Sequence, residues 1–165
     1  MIKGKNFNEF KQYNFLYIKN ILDGIENFKH ICFYGEYESY VNFIKFIIKD
    51  NKLTFFDFYF SKLKESEKQV FYNFSNYDNI INKFNIDEEE IYFNVNDIDD
   101  EILDFIIEVS FKEILFTTFY FKEPSMTLWT NYNSQFVLFF EQDKFIQKYK
   151  EIAQSLNLKI LFEKY

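Results

Sequence analysis

Arginine is absent from the sequence, so lysine supplies all 19 basic side chains, and alanine occurs once, at Ala153. Residue types with GC-rich codons are nearly missing while Phe, Tyr, Ile, Asn and Lys abound, which indicates an AT-rich genome. The chain therefore lacks the guanidinium group that binds phosphate or carboxylate through two parallel hydrogen bonds. The net charge of −7 also argues against nucleic-acid binding, because such proteins usually need a basic stripe.

Glycine, histidine and cysteine are too few for most kinds of site. The three glycines, at positions 4, 24 and 35, are too far apart to form a P-loop or a dinucleotide-binding fingerprint. His30 and Cys32 are the only residues of their types, so a zinc site would need several carboxylates in addition. The two side chains share a face at strand spacing, but no third group orients the histidine, and we interpret both as ordinary strand residues. The sequence predicts no metal and no cofactor.

Long apolar runs are missing as well. The run at 136–140 is far shorter than the roughly 20 residues that a membrane helix needs. No apolar stretch long enough for a signal-peptide core follows the first six residues. A single cysteine cannot form an internal disulfide, which fits a reducing compartment. These features predict a cytoplasmic protein.

Aromatic residues, in contrast, are abundant, with 25 Phe and 13 Tyr in 165 residues. Such a chain can bury enough apolar surface to offset the entropy lost on folding. No linker rich in Gly, Ser or Pro divides the sequence and no internal repeat is present. We expect residues 1–165 to form a single globular domain.

Helical and extended patterns alternate along the chain. Apolar spacing predicts about five helices, at 15–25, 38–49, 77–84, 97–109 and 145–156. Strands are expected at 30–34, 53–60, 69–74, 91–95, 113–121, 126–129, 135–140 and 158–162. Asn96 is the predicted N-cap of the helix that follows it. Strand pairs 53–60 with 69–74 and 126–129 with 135–140 are predicted hairpins, so the expected fold is an α/β or α+β domain on one mixed β-sheet.

Acidic residues concentrate in one segment. No basic residue lies between Lys83 and Lys112, whereas this segment holds ten acids. The run that begins at Asp97 is similar to a calcium loop, but Ile102 occupies the position that requires glycine. The helical pattern directs Ile102, Phe105 and neighbouring apolar residues inward and leaves acids facing solvent.

This acidic helix has two interpretations. It can be a solvated surface that keeps the protein soluble, or an electronegative patch that steers and binds a basic partner. Tyr and Trp are suited to anchoring such contacts, and Trp129 and Tyr132 adjoin a turn-prone stretch, although Trp129 also fits the core. The predicted partner-binding residues are Asp97, Asp99, Asp100, Glu101, Asp104, Glu108, Trp129 and Tyr132.

Three stretches of the last third carry a family resemblance. Residues 113–121 (EILFTTFYF), 127–133 (TLWTNYN) and 136–140 (FVLFF) resemble small acidic immunity proteins of bacterial polymorphic and contact-dependent toxin systems. The resemblance brings no functional residues with it. It implies tight one-to-one binding to a toxin domain, often a basic nuclease, whose active site is blocked.

The leading hypothesis is thus an inhibitor or immunity-type protein that binds a basic partner and is not an enzyme. Three alternatives stay open: an enzyme whose carboxylates converge only in three dimensions, a phage or mobile-element protein that mimics the charge of DNA, and a subunit of an obligate complex. The mimic would need acids spread over a long surface rather than clustered. The sequence defines neither the oligomeric state nor the partner.

Overall fold

A computed structural model of the chain describes residues 1–130 and 133–164. Seven strands form one sheet in the order β3–β2–β4–β5–β6–β1–β7, and every pair of neighbouring strands is antiparallel. The strands are β1 (Lys29–Tyr34), β2 (Thr54–Asp57), β3 (Tyr92–Asn94), β4 (Thr118–Phe121), β5 (Met126–Thr130), β6 (Gln135–Phe140) and β7 (Lys159–Lys164).

The helices lie between and before these strands. They are α1 (Phe7–Lys11), α2 (Ile21–Asn27), α3 (Tyr37–Asp50), α4 (Glu65–Lys68), α5 (Tyr77–Ile81), α6 (Asp100–Phe111) and α7 (Ile146–Ser155). Helix α3 buries Tyr40, Phe43, Ile44 and Ile47, which is the spacing of one helical face. Among the described residues, no helix combines the length and the apolar character that crossing a bilayer requires.

Both faces of the sheet are covered. The main core lies between one face and helices α3, α6 and α7, while residues 7–28 cover part of the opposite face. Strand β2 shows the consequence, because Phe56 packs into the main core and Phe55 packs beneath the N-terminal residues. Burial on both faces explains why this strand is a continuous apolar run without alternation.

The structure confirms α+β, one of the two classes predicted from the sequence, on one sheet. The predicted mixed sheet is instead antiparallel throughout, because hairpins and long connections bring each strand beside a neighbour of opposite direction. Consecutive strands β4, β5 and β6 form two hairpins, one of which was predicted at 126–140. The predicted hairpin of 53–60 with 69–74 is wrong, because Gln69–Asn73 is a 3-10 helix that follows α4 directly. Only Phe71 in this stretch is fully buried, whereas Val70 and Tyr72 are exposed. A short helical turn is therefore enough to bury the one ring that enters the core.

Other boundaries also differ from the predictions. Asn96 does not cap a helix but lies in a 3-10 turn, and the N-cap of α6 is Asp99, whose carboxylate accepts the Ile102 N–H at 3.0 Å. The predicted helix at 15–25 begins only at Ile21. The residues before it, such as Phe15, pack against the sheet without helical structure because the sheet supplies their burial. Strand β4 likewise begins at Thr118 rather than at 113.

Candidate functional site

Six acidic residues form a ridge along the outer side of α6 and the turn before it. This acidic ridge consists of Asp97, Asp99, Asp100, Glu101, Asp104 and Glu108. Helix α6 buries seven of its 12 residues, including Ile102, Phe105 and Ile106. Burial of that width leaves only a narrow outer stripe, which is why the acids on the helix, from Asp100 to Glu108, fall in a line about 12 Å long at 1.5 Å per residue.

Lysines from outside the acidic segment pair with four of the six ridge acids. Lys45 on α3 lies 2.5 Å from Asp104, and Lys112 lies 2.5 Å from Glu108. Lys83 is 2.8 Å from Asp99 and 3.5 Å from Glu101. Asp97 and Asp100 have no ion pair among the described residues.

These pairs are partly exposed, so each contributes little to the stability of the fold. Lysines of the same chain nevertheless reduce the net negative charge of the ridge. The sequence did not predict the pair of Lys45 with Asp104, because the two residues are far apart along the chain. The Tyr37 hydroxyl also lies beside the ridge. Partial burial is the main cause that raises the pKa of Tyr37, and the negative charges of Glu108 and Asp104 raise it further.

An open groove runs beside the ridge. One depression of about 370 Å³ lies between Glu101, Asp104 and Glu108 on one side and residues 74–76 with Ile80 on the other. A neighbouring depression, also about 370 Å³, continues past Glu108 and is lined by Val70, Phe74 and Ile114 among others. We call these two depressions the α6 groove. One wall is acidic, and the other combines the apolar Val70, Phe74, Ile80 and Ile114 with the polar Asn73, Ser75 and Asn76, which suits a partner segment that carries both basic and apolar side chains. Lys112, which pairs with Glu108, also lines the second depression.

The structure does not bring Trp129 to the acidic ridge. Trp129 packs with Cys32, Val137 and the N-terminal residues on the face of the sheet opposite α6. Its neighbours in β5, Met126 and Leu128, point into the main core instead. Tyr132 lies outside the described residues. The side of the α6 groove opposite the ridge is formed by residues from 70 to 80 and by Ile114. Part of this side, the aromatic stretch 69–74, was predicted to be a strand.

A second polar site is buried where β2 ends. Asp57 is 3% exposed, and its two carboxylate oxygens accept hydrogen bonds from the Thr118 N–H at 2.7 Å and the Tyr120 hydroxyl at 3.1 Å. Burial raises the pKa of Asp57 to about 7, and the two hydrogen bonds oppose that rise. In the sequence, Asp57 stands out only as the one charged residue in the aromatic stretch 53–60. No spacing rule connects it with Tyr120 on β4.

The only histidine and the only cysteine have no open site. His30 is 2% exposed, and its Nδ1 lies 3.0 Å from the Phe28 carbonyl oxygen. Burial raises the pKa of the Cys32 thiol to about 11, so the reactive thiolate is scarce at neutral pH. Within 1–130 and 133–164, no three His, Cys, Asp or Glu side chains are grouped so that they could hold a metal ion.

Comparisons of the chain with known proteins find no matching family model, no matching curated protein and no matching solved structure. The functional interpretation consequently rests on the α6 groove and its chemistry.

Proposed function

We propose that this chain is a protein-binding inhibitor of the immunity type, which neutralises a cognate basic toxin domain by direct complex formation. The α6 groove is the observation that supports this proposal, because it combines an acidic wall with apolar side chains such as Val70 and Phe74 and is open to solvent. The proposal includes a cytoplasmic location and a protein partner rather than nucleic acid or membrane, as the charge of −7 favours.

Binding would exchange ion pairs within the chain for ion pairs with the partner. Lys45 pairs with Asp104 and Lys112 pairs with Glu108. Each of these partly exposed ion pairs contributes little to the stability of the fold. An arginine from the partner can form two parallel hydrogen bonds to a carboxylate, which a lysine of this chain cannot. The acidic ridge would therefore accelerate association with a basic protein, and contact with Val70 and Phe74 would slow dissociation.

Mimicry of DNA is less well supported by the same geometry. A DNA mimic presents negative charges over a long surface, whereas the helical part of the ridge is about 12 Å long and lysines pair with its acids. Catalysis by carboxylates would need a water-excluding pocket, and both depressions of the α6 groove are open.

Affinity capture at low and at high salt tests the proposal. The tagged chain should retain one basic protein from its source cells, and the purified pair should form a one-to-one complex in which the toxic activity of the partner is lost. Reversal of three ridge charges, in D100K/D104K/E108K, should lower the association rate at low salt by tenfold or more. Raising the salt concentration should slow association of the unmodified chain.

A matched variant controls for net charge. E141K/D143K/E151K makes the same change in total charge but lies outside the α6 groove, in the region of α7. It should associate with the partner much faster than the ridge variant does. Equal rates for the two variants, or a complex that is indifferent to salt, would contradict the role of the ridge, and capture of no basic protein would contradict the proposed function.

A further inference from the structure

The buried carboxyl group of Asp57 faces a shell of tyrosines and no cation. Tyr120 donates its hydroxyl to the carboxylate, and Tyr59, Tyr92 and Tyr17 are close enough to interact with Asp57 or with Tyr120. The other hydrogen-bonding groups at the carboxylate are the backbone N–H and the side chain of Thr118 and the backbone of Asp57 itself. None of the ion pairs formed by the described residues involves Asp57.

The N-terminal residues close this shell from the outside. Phe10 of α1 stacks on Tyr92 with 4.1 Å between ring centroids and meets the edge of Tyr120 at 4.8 Å. Phe15 and Tyr17 also lie against Tyr120, at 6.3 and 6.4 Å. Tyr120 therefore donates a hydrogen bond to the carboxyl group and also contacts the N-terminal residues that shield this carboxyl group from water.

Few polar contacts fasten this segment to the sheet. Lys122 donates to the backbone oxygens of Tyr13 and Asn14 at 2.7 and 3.0 Å, and the Thr127 hydroxyl donates to the Leu16 carbonyl. The other contacts described there are apolar, mainly through Phe10 and Phe15. Apolar cover is favourable over a neutral carboxyl group but costly over an ionised one that has no counter-charge.

We propose that the proton on Asp57 controls the N-terminal segment, residues 7–18, so that the segment is closed over the sheet when Asp57 is protonated and opens locally when Asp57 loses that proton. Opening would admit water to the carboxylate from the side of Tyr120. The opposite side is blocked by the main core, in which the flanking residues Phe56 and Phe58 are fully packed.

The direction of the pH dependence follows from the two states. Burial raises the pKa of Asp57 to about 7 in the closed state, whereas a solvated aspartate titrates near 3.9. The closed state thus binds the proton more tightly, and its stability relative to the open state falls as pH rises through 7. The facing tyrosines stay neutral in this range, because burial raises the pKa of Tyr59 to about 12 and raises those of Tyr92 and Tyr120 as well.

Hydrogen exchange followed by mass spectrometry measures this opening directly. After correction for the intrinsic rate, protection of amides in 7–18 should fall about tenfold between pH 6 and pH 8, while β5 and β6 keep theirs. The variant Asp57→Asn keeps an acceptor for the Thr118 N–H but cannot ionise, so its protection should be equal at the two pH values. Asp50→Asn, which removes an acid that accepts hydrogen bonds from Lys148 and Tyr149, should leave the pH response intact.

A second variant moves the response instead of removing it. Tyr120→Phe removes a hydrogen bond that stabilises the ionised carboxylate, so the pH at which protection falls should rise. This result tests the proposal even if Asp57→Asn does not fold. The proposal is overturned if protection in 7–18 does not change with pH, if Asp57→Asn shows the same change, or if all strands lose protection together.

Discussion

Gly24 shows how closely one residue of the N-terminal layer approaches the sheet. A Cβ at this position of α2 would lie 2.7 Å from two ring carbons of Phe139, which is completely buried. Gly→Ala normally stabilises a helix interior by about 1 kcal/mol. Here we expect the overpacking to dominate and Gly24→Ala to destabilise the protein by about 1–3 kcal/mol, measured by urea unfolding. Glu26→Ala, at an exposed position of the same helix, should change stability little, and a stabilised G24A would contradict the packing described.

At the scale of single residues, the sequence predicted whether a side chain is buried or exposed better than it predicted which residues that side chain contacts. The strand interpretation of His30 and Cys32 agrees with their burial in β1. The partners of Asp57 and of the ridge acids come from distant parts of the chain, such as Tyr120 and Lys45. Long-range pairing of this kind depends on the tertiary fold, which local spacing does not encode.

Two adjacent acids at the start of helix α6 differ in their contacts, because one caps the helix and the other is only exposed. Asp99 accepts the Ile102 N–H and pairs with Lys83, whereas Asp100 has no contact of either kind among the described residues. Loss of an N-cap destabilises a helix, so Asp99→Ala should lower the melting temperature by a few degrees. Asp100→Ala should have a clearly smaller effect, and both can be measured by circular dichroism. Equal losses would show that Asp99 acts only through its charge at the helix start.

Elements with strong periodicity were predictable, and elements with short aromatic runs were not. Helix α3 and the β5–β6 hairpin were predicted to within a few residues. The stretch 69–74 has the composition of a strand but folds as a 3-10 helix. Its aromatic side chains pack against the helical layer through Phe71 and Phe74, which contact Phe105, so tertiary packing overrode β-propensity.

At the scale of the whole molecule, β7 leaves one edge of the sheet open. Exposed Leu161 and Phe162 lie between Lys159 and Lys164, and the register with β1 shifts at Leu161, between the paired residues Ile160 and Phe162. Charged residues and irregular pairing protect edge strands from association. Lys159→Ile should therefore increase self-association several-fold at equal concentration, measured by sedimentation velocity. Lys49→Ile, at an exposed position of helix α3, should not do so, and identical behaviour of the two variants would rule out edge pairing.

The arrangement of the predicted binding residues also belongs to this scale. Trp129 and the acidic ridge were expected to cooperate, yet the sheet separates them. Alternation along β5 places Trp129 and Leu128 on opposite faces, but which face carries α6 depends on strand order. Strand order is a global property, and one sequence does not reveal it.

Strand β1 occupies an inner position of the sheet although it is the first strand of the sequence. Its two neighbours, β6 and β7, come from near the other end of the chain. A ribosome that adds 5–20 residues per second needs roughly 5–20 s to proceed from β1 to β6, and during this time the apolar strand has no partner. Pairing across such sequence distances also makes folding slow. A newly made chain therefore leaves this strand without its partners until β6 is made, and we expect a faster rate of translation to increase the yield of folded protein.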